Sequence, residues 1–97
     1  MAEEICADDF IAFIGQPFQA EGASQTLTLA AVDQPERAGW PQGLRKPFSL
    51  ILRGARDDVL PEGAYRFTAG GQRQFELYII PIETASRDCQ EYQIAFN

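Results

Sequence analysis

Three consecutive stretches decide the fold: Pro47-Phe48-Ser49-Leu50-Ile51-Leu52-Arg53-Gly54, then Pro61-Glu62-Gly63-Ala64-Tyr65-Arg66-Phe67, then Gly70-Gly71-Gln72-Arg73-Gln74-Phe75-Glu76-Leu77-Tyr78-Ile79. Within each, apolar side chains recur at every second residue. Between them stand turn-forming residues, with Arg53-Gly54 interrupting the first run. Period-two alternation cut by Gly and Pro describes antiparallel strands with one face on a core.

Working outward, the same pattern extends both ways. Phe18 to Glu21 reads as a first strand, and Gly22-Ala23-Ser24 as a turn. Gln25 to Val32 is a second strand, with Leu27, Leu29 and Ala31 on one face. Phe48 to Arg53, Ala64 to Thr68, Gln74 to Ile82 and Tyr92 to Phe96 complete six. Asp33 to Lys46 is a long connection. Upstream, Phe10, Phe13 and Ile14 share one helical face. Asp8 or Asp9 is placed to cap that helix and Gly15 to end it, with Pro17 beyond. A helix this short must pack on the sheet to persist.

The expected fold is therefore mainly β: a six-stranded antiparallel barrel or roll with a short N-terminal helix. Closure removes the two aggregation-prone edges of a small open sheet. The alternative is an immunoglobulin-like sandwich. It is raised by Leu60-Pro61-Glu62-Gly63-Ala64-Tyr65, which resembles a tyrosine corner whose hydroxyl bonds back to the backbone upstream. Two clear strands follow Tyr65, one too many for that topology. The expected core is Phe48, Leu50, Leu52, Tyr65, Phe67, Phe75, Leu77, Ile79, Tyr92, Ile94 and Phe96.

The 97 residues suffice for a single domain, 1–97, with 1–6 as a loose acidic lead-in. An apolar share of 45% argues against a disordered chain. The net charge of −6, with eight scattered Lys and Arg, disfavours nucleic acid and anionic membranes as partners. Met1-Ala2-Glu3-Glu4 lacks the basic start of a signal peptide, so the expected location is the cytoplasm. There Cys6 and Cys89 read as free thiols, although a disulfide between the two ends stays open.

Little in the chain points to catalysis. Without histidine there is no Ser-His-Asp or Cys-His arrangement and no His-ligated metal. Two cysteines cannot close a zinc site alone. Gly70-Gly71 is too short for a dinucleotide-binding loop and reads as a hairpin turn. The acidic pairs Glu3-Glu4, Asp8-Asp9 and Asp57-Asp58 lack calcium-loop spacing, and Asp57-Asp58 reads as a solvated turn. Cys89 follows Arg87-Asp88, whose opposite charges cancel any activation of the thiol. No catalytic residue, cofactor or metal is expected. One residue is a candidate for binding. Trp40, in Gly39-Trp40-Pro41-Gln42-Gly43, is the only Trp and sits in the longest connection. Long loops carry function and Trp anchors interfaces, whereas a Trp lid over one barrel end would be purely structural.

Five blocks together resemble a known family: Phe10 with Phe13-Ile14-Gly15-Gln16-Pro17-Phe18, then Pro47 to Gly54, Leu60 to Tyr65, Phe75 to Ile82, and Tyr92-Gln93-Ile94-Ala95-Phe96-Asn97. It is a family of small bacterial domains of unknown function, about 100 residues long, some of whose members, in some bacteria, lie near phage-tail-like or tail-collar genes. The blocks are strands and turns, so the resemblance carries the fold but no catalytic residue. Its gene company implies a structural or assembly role. The expected function is a non-enzymatic protein-interaction or assembly module, linked to phage-tail-like structures and binding a protein partner with a basic or mixed surface. The alternatives are a small-ligand-binding barrel and, third, an enzyme using carboxylates or a cysteine.

Overall fold

Six antiparallel strands close into a barrel in the order β1-β2-β3-β6-β5-β4, with β4 returning to β1. The computed structural model describes residues 7–23, 25–34, 48–83 and 88–96. The strands are β1 (Pro17–Ala20), β2 (Thr26–Asp33), β3 (Phe48–Ala55), β4 (Gly63–Ala69), β5 (Arg73–Ile82) and β6 (Cys89–Phe96), preceded by the short helix α1 (Asp8–Ile11). Closure rules out the sandwich, in which two sheets would keep separate edges.

Alternation places the core as the pattern requires. Phe48, Leu50, Leu52, Phe67, Phe75, Leu77, Ile79, Tyr92 and Ile94 are all buried. Tyr65 and Phe96 are only half-buried and pack on the core's edge. The alternation fails at one point in β2. The register against β3 shifts between Leu29 and Ala31. An irregularity of this kind changes the inward phase. Ala31, expected inside, is exposed, and Val32 packs against the core instead.

Gly54 does not end β3 but lies within it, opposite Gln90. A Cβ there would clash with the Leu27 side chain, which is fully buried. Glycine is needed at this position so that β2 can approach β3. Gly70 and Gly71 do form the β4–β5 turn, both with positive φ. Ala69 and Arg73 pair across it.

Helix α1 is shorter than the sequence suggests, and neither Asp8 nor Asp9 caps it. Ala7 is the N-cap, and its carbonyl accepts from the Phe10 and Ile11 amides. Beyond Ile11 the chain continues in three-residue turns, Phe13 N–H to Phe10 O and Ile14 N–H to Ile11 O. The tighter winding removes the shared face of a true helix. Phe10 is fully buried, Phe13 half-buried and Ile14 exposed. Phe10 seats against Phe75, Phe96 and Phe48, with ring centroids 4.7, 5.5 and 6.0 Å away. It thereby stoppers the end of the barrel where β5 and β6 lose their pairing, whose register covers only Ile80↔Gln93 to Ile82↔Glu91.

All three tyrosines of the chain hold the connection between β3 and β4. Tyr65 Oη donates to the Pro61 carbonyl at 2.7 Å, as the tyrosine-corner reading anticipates. Tyr92 Oη accepts from the Leu60 amide at 2.9 Å inside the core. Tyr78 Oη donates to Glu62 at 2.7 Å. The two backbone contacts differ in their surroundings. Removing the Tyr92 hydroxyl orphans a buried N–H, whereas water can replace Tyr65 at the exposed Pro61. Tyr92→Phe should therefore cost about 1–3 kcal/mol and Tyr65→Phe about 0.5–1.5 kcal/mol. Urea denaturation measures both, and equal losses would mean that the Leu60 amide finds another acceptor.

Candidate functional site

The barrel interior is filled by side chains. Phe10, Phe18, Phe67, Leu27, Leu29, Leu50, Leu52, Ile79 and Tyr92 are each inaccessible to solvent. Among the described residues no polar or charged side chain other than Tyr92 is buried, and no buried side-chain polar atom lacks a partner. Burial raises the Tyr92 phenol above its ordinary value, against the lowering effect of its bond to Leu60.

The outer surface offers more. The second half of β5, Tyr78-Ile79-Ile80-Pro81-Ile82, is apolar on both faces. Ile79 points inward and is fully buried. Tyr78 and Ile80 point outward and are 52% and 37% exposed. Ile82 continues the outward row. At its end Val59, Pro81, Ile82, Arg56, Glu83 and Gln90 line a groove of about 430 Å³ that is open to solvent. Gln90 shapes its wall by donating to the Ile82 carbonyl at 2.8 Å. Val59 is itself 48% exposed, so the apolar row runs on into a groove whose other walls are polar.

The strip has a rim of mixed charge. Glu76 precedes Tyr78 on the same face, Glu62 accepts the Tyr78 hydroxyl and raises the Tyr78 pKa by that hydrogen bond, Glu83 closes the groove, and Glu91 lies opposite Ile82. Arginines share this rim, Arg56 in the groove wall and Arg66 opposite Glu76. Arg53 donates to Glu91 at 2.9 Å, which holds its guanidinium above the ordinary value. Arg66 lies 3.8 Å from Glu21.

The other sequence candidates are spread over the molecule. Asp57 and Asp58 stand exposed in the turn after β3. Asp9 lies 3.4 Å from Arg73 and tethers α1 to β5. Cys89 opens β6 opposite Ala55, half-buried and with a free thiol. Trp40 and Cys6 lie outside the described residues. Among the described residues no three potential ligands gather where a metal could bind, and no helix is long and apolar enough to cross a membrane.

The strip was readable but overlooked. An unbroken apolar run from Leu77 to Ile82 is what a strand covered on both faces carries. Inward alternation explains Leu77, Ile79 and Pro81 but not Tyr78, Ile80 and Ile82. The model of the family described as Domain of unknown function (DUF6916) matches residues 5–96. The chain belongs to that family. The match spans α1 and all six strands, in keeping with the resemblance read from the strand and turn blocks. Comparison with curated proteins and with solved structures finds no match.

Proposed function

We propose that this DUF6916 domain is a non-enzymatic protein-interaction or assembly module, in its most specific form a component of a phage-tail-like structure. The observation that carries the reading is the two-sided apolar character of β5. Its inward residues complete the core, while Tyr78 and Ile80 remain exposed beside Val59. A contiguous exposed apolar surface with a polar rim is the usual mark of a protein interface. The side chains that fill the interior favour a surface function over the small-ligand alternative. The phage-tail assignment rests on the gene company implied by the family resemblance. A reducing cytoplasm suits the free thiol of Cys89.

Co-expression with each protein encoded beside its gene tests the reading. A stable complex that co-purifies through size exclusion is expected. The reading falls if the domain elutes alone from every neighbour while a small molecule raises its unfolding temperature saturably, since such a shift reports a bound ligand.

A further inference from the structure

We infer that α1 is a latch across the seam between β5 and β6. When it leaves, the two strands part and expose Phe75, Leu77, Ile94 and Phe96 while the rest of the barrel stays folded.

The seam is closed by backbone pairing only from Ile80↔Gln93 to Ile82↔Glu91. Each strand is held along its remaining length from its far side. β5 pairs with β4 from Arg73 to Ile79, and β6 pairs with β3 as far as Phe96. Parting the unpaired half of the seam therefore breaks no rung of the β4–β5 or β3–β6 ladder. Its closure rests on side chains, and Phe75, Leu77 and Ile94 are nevertheless buried. Phe10 spans the two sides, with ring contacts to Phe75 on β5 and Phe96 on β6.

The latch itself is built to move. Its helix has four residues and no side-chain cap, so it has no stability apart from its seat. Arg73 holds it through Asp9 at 3.4 Å and lies 4.7 Å from the centre of the Phe75 ring. Downstream, Gly15 N–H donates to the Leu29 carbonyl and the Leu29 amide donates to Gln16. These bonds fix the start of β1, so α1 can swing about Gly15 without pulling β1 from the barrel. Local opening of this kind runs below global unfolding in free energy.

Thiol labelling tests the latch in the full chain with Cys6→Ser and Cys89→Ser. Leu77→Cys and Ile94→Cys place one reporter on each side of the seam. Leu52→Cys is the control, fully buried on β3 opposite Tyr92. Each labelling rate is compared with the unfolding equilibrium of the same variant, which corrects for any loss of stability. Both seam thiols should react at least about tenfold faster than global unfolding allows, with little dependence on urea, whereas the control should react only through global unfolding. Adding Phe10→Leu should speed both seam reactions by the same factor by which it weakens the folding equilibrium, because Phe10 is unseated in both processes. Labelling of either seam thiol no faster than global unfolding would overturn the latch. So would fast labelling that Phe10→Leu leaves unchanged, since the seam would then open with Phe10 still seated.

Discussion

Phe10→Ala should lower the unfolding free energy by about 3–5 kcal/mol, as full truncation of a buried Phe does. The residue is inaccessible to solvent although it sits on a four-residue helix. Such a helix has no stability of its own in water. What holds it is the seat among Phe48, Phe75 and Phe96, two of which stack on each other at 4.5 Å. The Asp9–Arg73 pair cannot stand in for that seat, because partly exposed ion pairs are worth about 0–1 kcal/mol. Truncation would leave a cavity open to the barrel end, where β5 and β6 are no longer paired. Equilibrium urea unfolding is the measurement. A loss below about 1 kcal/mol would mean that α1 lies outside the cooperative unit.

Leu50→Ala should cost about 2–5 kcal/mol. Leu50 is fully buried in β3 and faces Val32 on one side and Ile94 on the other. Both neighbouring strands lean on it, so the surroundings cannot collapse into the space left behind. Leu77→Ala, in β5 across from Tyr65, should fall in the same range. If both variants unfold at the wild-type midpoint, the inward phase assigned to β3 and β5 is wrong.

Strands β3 to β5 were legible because their alternation is local and their turns carry Gly or Pro, and β6 by its alternation alone. The half-buried Tyr65 even disclosed its bond to Pro61, since both ends of that contact lie four residues apart. Tyr92 gave no such sign. Its partner Leu60 is 32 positions away, and only barrel closure brings them together. The exposure of Ala31 was hidden for a related reason. The irregularity in β2 depends on where β3 pairs, which no pattern in Gln25 to Val32 states. Helix α1 misled differently: apolar spacing marked Phe10 correctly but overran Ile11, where turns replace the helix. As for the candidate surface, Ile80 and Ile82 were legible as strand and illegible as surface. A period-two reading assigns one face to the core and says nothing of an apolar residue on the other.

The barrel order has a consequence for synthesis. Of the six strands β6 is translated last, yet it lies between β3 and β5. While it is still inside the ribosome, the emerged chain can form at most an open sheet, β3-β2-β1-β4-β5. Its two margins are then β3 and β5, the strands that carry Leu50, Leu52, Leu77 and Ile79. Such margins recruit other chains. The nascent protein stays vulnerable until Cys89–Phe96 emerges, and a premature stop within that stretch leaves both margins open for good.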